Sequence, residues 1–71
     1  MKTQAMVFMR CTTYDAKGYI VTGTFIKTVD TGELLTPVFD SLYDLINFAC
    51  SKDGEKLKAY DIIYGDGDKF N

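Results

Sequence analysis

The stretch that most constrains the fold of this chain is Asp40 to Ser51, because its apolar residues recur at the spacing of one helix face. The residues that form this stripe are Leu42, Leu45, Ile46, Ala49 and Cys50. Either Asp40 or Ser41 can cap this helix, and Ser41 with Asp44 is a variant of the capping box that has Asp in place of Glu or Gln. The sequence on both sides is typical of strands, so we expect a single amphipathic helix that covers one face of a small sheet.

The chain has 71 residues, of which 46 % are hydrophobic and 25 % are charged, as in a globular domain. A domain of this size buries only about 60 % of the surface that its unfolded chain exposes, so nearly every apolar residue is needed for the core. We therefore predict a single α+β domain over residues 1–71, with mobile ends at residues 1–4 and 65–71.

The first predicted strand runs from Ala5 to Tyr14 and alternates between two sets of side chains. The small or apolar set, which we expect to face the helix, consists of Ala5, Val7, Met9, Cys11 and Thr13. Met6 and Phe8 then point the other way. Either the outer face of the sheet is partly apolar or the register of this strand is different.

The segment from Asp15 to Gly18 predicts a hairpin turn, because Asp bonds its own turn and Gly adopts positive φ in a closing bulge. Tyr14 and Tyr19 flank this turn, and we expect them to face each other across the strands. The next strand is predicted from Tyr19 to Val29, and its threonines suit a solvated face.

The segment from Asp30 to Gly32 repeats the same turn chemistry and predicts a third strand from Glu33 to Thr36. Pro37 cannot donate a ladder hydrogen bond, so this strand lies at an edge or loses its regular pairing there. After the helix, Lys52 to Gly54 predicts a helix end with Gly at positive φ. Leu57 to Tyr64 predicts the last strand.

A right-handed crossover through the helix places the last strand beside the first and parallel to it, in the order 3-2-1-4. The predicted fold class is therefore α+β, with the element order β-β-β-α-β. It consists of an antiparallel meander, one amphipathic helix packed on one face, and a fourth strand beside the first.

The residue types argue against catalysis. The chain has no His, the commonest general base and a common metal ligand, so its serines have no visible activating base. Cys11 and Cys50 are not part of a CxxC pair, and we predict two buried, reduced thiols instead of a disulfide. Asp40 and Asp44 lie one helical turn apart, which is ordinary at a helix N-terminus.

A second acidic group, Asp66 and Asp68 after Asp61, suggests an oxygen-rich cation loop. An EF-hand loop needs a further oxygen ligand and a terminal Glu at fixed spacing, and neither is present, so a solvated tail is favoured. We therefore expect no enzyme activity, no metal and no cofactor.

The net charge is −2, and it is unevenly distributed. Residues 1–35 carry four basic and three acidic side chains, whereas residues 36–71 carry four basic and seven acidic ones. Without a basic stripe, direct binding of nucleic acid is disfavoured. The apolar run at the N-terminus is broken at Arg10 and is too short for a signal sequence or a membrane span, so we expect a cytoplasmic protein.

These exclusions leave a binding module that acts through exposed aromatic and acidic residues, since Tyr is favoured at protein interfaces. The candidate partner-binding residues are Tyr43, Asp44, Asn47 and Phe48 on the helix, Tyr14 and Tyr19 at the first hairpin, and Tyr60 and Tyr64 on the last strand. Phe48 lies off the centre of the apolar stripe, so it is either buried at the flank of the core or exposed.

The layout, with hairpins closed by Asp-Ala-Lys-Gly and Asp-Thr-Gly and a single helix opened by Phe-Asp-Ser-Leu, resembles small bacteriophage-encoded inhibitors. These include some anti-CRISPR proteins and the small phage inhibitor of host RNA polymerase. The likeness covers residues 5–64 and carries no functional residue with it. It implies a protein that binds and blocks a larger complex in a bacterial host, and the acidic second half fits competition for a basic nucleic-acid groove.

Two other functions stay open. A structural homo-oligomer would assemble through an open sheet edge or through an apolar outer face with Met6 and Phe8. Binding of single-stranded nucleic acid by stacking on Tyr and Phe ranks last, because the chain lacks basic companions for these rings.

Overall fold

A computed structural model describes residues 1–64 of the chain. The elements, in chain order, are β1 (Thr3–Tyr14), β2 (Ile20–Thr28), α1 (Leu42–Cys50), a 3-10 helix (Lys52–Ala59) and β3 (Tyr60–Tyr64). β1 lies in the centre of the sheet, antiparallel to β2 and parallel to β3. The structure confirms a small α+β fold and the parallel placement of the last strand beside the first.

Of the two predicted mobile ends, the structure describes the one at residues 1–4. β1 begins at Thr3, and the backbone N–H of Val29 donates to the carbonyl of Gln4 at 3.0 Å, so Thr3 and Gln4 belong to the sheet. The predicted mobile end at residues 65–71 lies outside the described residues, as do Asp66 and Asp68 of the suggested cation loop. None of the described helices is long and apolar enough to cross a bilayer.

The first hairpin forms as its turn chemistry predicts. One carboxylate oxygen of Asp15 accepts the backbone N–H groups of Lys17 and Tyr19, each at 2.9 Å, and Gly18 has φ of 88°. The strand register pairs Tyr14 with Ile20, so the prediction that Tyr14 faces Tyr19 is wrong.

β1 contains one irregularity. Phe8 pairs with Phe25 and Cys11 pairs with Gly23, so Met9 and Arg10 together oppose the single residue between those two partners. This is a β-bulge, and Arg10 adopts a left-handed conformation with φ of 55°. The alternation predicted to run unbroken from Ala5 to Thr13 is interrupted there.

The sheet has apolar residues on both faces. Before the bulge, Val7 pairs with Ile26 and both are buried in the core, which confirms the predicted inward direction. Phe8 and Phe25 point to the opposite face, where their rings stack with centroids 5.5 Å apart. The Lys27 ammonium lies 5.6 Å from the centroid of the Phe25 ring, at a distance suited to a cation–π contact. The outer face is therefore partly apolar, which resolves the alternative left open by the sequence.

The predicted third strand is wrong as a regular strand. Only two isolated bridges join this segment to β2, between Lys27 and Leu34 and between Thr24 and Phe39. Between them, the Thr36 hydroxyl replaces a backbone partner by accepting the N–H of Ile26 at 3.1 Å. The next residue is proline, which has no N–H to offer, and so the ladder is interrupted.

The prediction that threonines of β2 face solvent is wrong for Thr24 and Thr28, which are buried. The bridge to Phe39 covers Thr24. The Thr28 hydroxyl organises the second turn by accepting the N–H of Glu33 at 2.9 Å, and it lies 2.8 Å from the hydroxyl of Thr31. Gly32 has φ of 72°, as the turn chemistry predicts.

The core lies between the sheet and the two helices. Its buried apolar residues are Ala5, Val7, Ile26, Leu35, Leu45 and Leu57. The prediction that Leu57 and Ala59 belong to the last strand is wrong, because both lie in the 3-10 helix. Instead Leu57 anchors the 3-10 helix in the core, and the strand begins only at Tyr60.

The predicted role of Gly54 at the end of the helix is also wrong. Gly54 does not have positive φ, and the 3-10 helix continues through it. A Cβ atom at Gly54 would lie 2.6 Å from the Cα of Ala49, so glycine is required because the backbone of α1 is so close. The Ser51 hydroxyl joins the two helices by donating to the Phe48 carbonyl at 2.7 Å and accepting the Asp53 N–H at 3.2 Å.

Candidate protein interface

The orientation of α1 decides which of its side chains face solvent. The Ser41 hydroxyl caps the helix by accepting the N–H of Asp44 at 3.2 Å, as predicted, and it lies 3.1 Å from the Asp44 carboxylate. Leu45 is the one buried residue of the helix, with 2 % of its surface exposed. Leu42 and Ala49 pack against the core beside it.

The buried side of α1 differs from the predicted apolar stripe because of Phe48. Its ring contacts that of Phe39, with centroids 5.5 Å apart, and it is half-buried at the flank of the core. Packing Phe48 against this ring turns the helix so that Ile46 and Cys50 lie in solvent. The prediction that Ile46 and Cys50 face the core is therefore wrong, and so is the prediction that both cysteines are buried.

The exposed side of the helix now forms a face of its own. Tyr43, Ile46, Asn47 and Cys50 are all exposed, and they recur at i, i+3, i+4 and i+7, which places them along one side of the helix. We call these residues the outer face of α1. Tyr43 has 73 % and Ile46 has 44 % of its surface exposed. The acidic side chain of Asp44 lies next to this face, and no basic residue occurs in the last turn of the helix.

The candidate residues on the other elements differ in how much of their surface is exposed. Tyr14 and Tyr19 are exposed at the first hairpin, and Tyr64 is exposed at the end of β3. Tyr60 instead packs against the core and is half-buried, so it does not present its full ring to a partner. Of the predicted residues on α1, Tyr43, Asp44 and Asn47 lie together as an exposed group. The sequence pattern does not indicate that Ile46 and Cys50 lie beside them.

A concave groove lies on another side of α1. Its volume is about 560 Å³, and it is bounded by the first hairpin turn, β2, the segment 34–38 and the two helices. Val21, Leu35, Pro37 and Phe48 contribute apolar walls, and Lys17 and Lys56 are the basic residues that line it. No local sequence pattern indicates this groove, because its walls come from distant parts of the chain.

The candidate metal ligands within residues 1–64 are Cys, Asp and Glu side chains, since the chain has no His. No group of three Cys, Asp or Glu side chains within residues 1–64 converges on a point where it would hold a metal ion. Cys11 and Cys50 are both free thiols, and the Cys11 sulfur contacts the carbonyl of Met9 at 3.3 Å.

Comparison with known proteins finds no relatives. No protein-family model matches the sequence, and neither the curated proteins nor the solved structures give a significant match.

Proposed function

We propose that this chain is a non-catalytic protein-binding module that binds and blocks a larger complex in a bacterial host, as phage and mobile-element inhibitors do. The observation that supports this proposal is the outer face of α1, where Tyr43 and Ile46 lie exposed beside Asn47 and Cys50. An apolar ring and a branched aliphatic side chain at helical spacing are the anchors of helix-in-groove recognition.

Burial of these two side chains against a partner would stabilise the complex. Fully burying a side chain such as Ile contributes about 1.5–3 kcal/mol, and a Tyr ring adds contact area at a small cost in side-chain entropy. In a domain that needs its apolar residues for a core, Ile46 in solvent is a residue without a folding role. A groove on a partner protein would bury both anchors.

The charge beside this face suggests the chemistry of the partner. Asp44 is exposed at the start of α1, and the preceding Asp40 is exposed as well, while α1 itself contains no basic residue. A partner groove with basic residues at its rim fits this arrangement, because complementary charge accelerates association and rejects wrong partners. We therefore favour a host protein that binds nucleic acid, whose basic surface the module would occlude as an anti-defence protein.

The test uses affinity purification from host lysate with a matched pair of variants. Tyr43→Ala with Ile46→Ser removes both anchors from the outer face of α1. Ile20→Ser with Val29→Ser removes two exposed apolar side chains that are not among the candidate partner-binding residues. We expect the wild type and this control variant to retain the same protein, identified by mass spectrometry, and the helix variant to lose it.

The captured protein is then purified and its nucleic-acid binding is measured with and without the module. We expect the module to inhibit this binding, and Asp44→Lys to weaken the inhibition through slower association. Equal capture by the helix variant, or a captured protein whose activity the module leaves unchanged, would contradict the proposal.

A second candidate function is homo-oligomerisation through the edge of β3. Within residues 1–64, β3 pairs with β1 on one side and no strand lies on its other side. Tyr64 has 74 % of its surface exposed on this strand. An unpaired edge is a template for pairing with a second copy. Light scattering across a wide concentration range decides the question, since a strictly monomeric protein removes this candidate and a dimer that Tyr64→Lys dissociates supports it.

A further inference from the structure

The groove between the first hairpin turn and the segment 34–38 is a second possible site, separate from the outer face of α1. Its volume of about 560 Å³ lies in the range of pockets that bind small molecules, about 300–1,000 Å³. Its walls are mainly aliphatic and aromatic, with Val21, Leu35, Pro37 and Phe48 among them. A ligand that fills it therefore needs an apolar body.

Two polar side chains in the walls, Thr36 and Asp15, already form hydrogen bonds within the protein. The Thr36 hydroxyl accepts the N–H of Ile26 at 3.1 Å and donates to the carbonyl of Pro37 at 2.9 Å. One carboxylate oxygen of Asp15 accepts two backbone N–H groups of its own turn. An uncharged polar ligand would lose its bonds to water without gaining equivalent partners from these two side chains.

The charge of the groove determines the ligand's polar group. Lys17 from the hairpin turn and Lys56 from the 3-10 helix both line the groove, and the acidic residue among the lining residues is Asp15. Neither lysine forms an ion pair with another residue in the described range 1–64. With two lysines and one aspartate, the lining residues carry a formal net charge of +1.

We propose that this groove binds a small carboxylic acid with an apolar body, whose carboxylate lies near Lys17 and Lys56 and whose chain or ring contacts Val21, Leu35 and Phe48. The concave shape favours a small ligand over a protein surface, because protein partners commonly use broader and flatter contact areas. An acidic peptide is the competing occupant.

The probe is octanoate, titrated into the isotope-labelled protein and followed by heteronuclear NMR. Octanol and octylamine share its apolar body and replace the carboxylate with a neutral and a positively charged group. We expect octanoate to shift the amide signals of Val21, Leu35 and Phe48 in a saturable manner, and both analogues to bind more weakly. Added salt should weaken octanoate binding, because exposed charges are screened.

The double variant Lys17→Gln with Lys56→Gln should lower the affinity for octanoate about fivefold, as expected for two exposed charge contacts. Lys58→Gln is the matched control, because Lys58 is exposed on the same 3-10 helix and does not line the groove. Each of the following overturns the proposal: no saturable shift at the groove, equal binding of octanol, equal affinity of the double variant and the control, or an acidic peptide that binds there when octanoate does not. The proposed protein interface is unaffected by any of these results, since its anchors are Tyr43 and Ile46.

Discussion

The first hairpin and the helical connection from α1 to β3 depend on different kinds of contact. In the hairpin, Asp15 and Gly18 define the turn through hydrogen bonds and a backbone conformation confined to a few residues. In the connection, α1 is oriented by a ring contact with Phe39, and Gly54 is required by its contact with the backbone of α1. The hairpin is encoded locally, whereas the connection acquires its geometry from packing.

Two neighbouring residues of α1 test whether packing against Phe39 sets the orientation of this helix. Leu45→Ala should lower the free energy of unfolding by about 3 kcal/mol, because it leaves a cavity in the core. Ile46→Ala should lower it by less than about 1 kcal/mol, because 44 % of the surface of Ile46 is exposed and the residue is not part of the core cluster. Urea unfolding of both variants measures the two values. Equal losses would mean that Ile46 faces the core, as the apolar spacing predicts.

Two glycines provide the next comparison. Gly54→Ala should cost about 2 kcal/mol, since its Cβ would lie 2.6 Å from the Cα of Ala49 and the two helices would have to separate. Gly18→Ala should cost about 1 kcal/mol, because the Cβ meets no atom within 4 Å and only the left-handed conformation is disfavoured. Thermal unfolding of both variants measures the difference. A larger loss at Gly18 would show that conformation matters more than packing in this domain.

The same distinction explains which parts of the fold the sequence predicts. Both Asp-to-Gly turns follow from residues adjacent in the chain, and the parallel placement of β3 follows from the handedness of crossovers. The 3-10 helix was missed because the alternation of Lys56, Leu57, Lys58 and Ala59 also fits a strand. Only the contact of Gly54 with α1 distinguishes the two, and that contact is not visible in a local pattern.

The candidate interface is predictable to a similar extent. Tyr43, Asp44 and Asn47 lie exposed, as their positions off the apolar stripe indicate. The apolar spacing predicts that Ile46 faces the core, but Phe48 is apolar as well, so a second orientation of the helix is possible. The choice between them depends on the contact between Phe48 and Phe39, which are distant enough in sequence that no helical pattern relates them.

The smallest expected effect is at Arg10 in the first hairpin, where the backbone has a conformation that non-glycine residues disfavour. Arg10 occupies the bulge of β1 with φ of 55°, a conformation that disfavours residues with a Cβ atom. Arg10→Gly should raise the free energy of unfolding by about 0.5 kcal/mol, since the relief of strain exceeds the added entropy of the unfolded chain. Arg10→Ala is the control, because it shortens the exposed side chain and keeps the strain. Urea unfolding that gives Ala and Gly the same stability would show that the bulge imposes no strain on Arg10, and that the whole hairpin follows its local preferences.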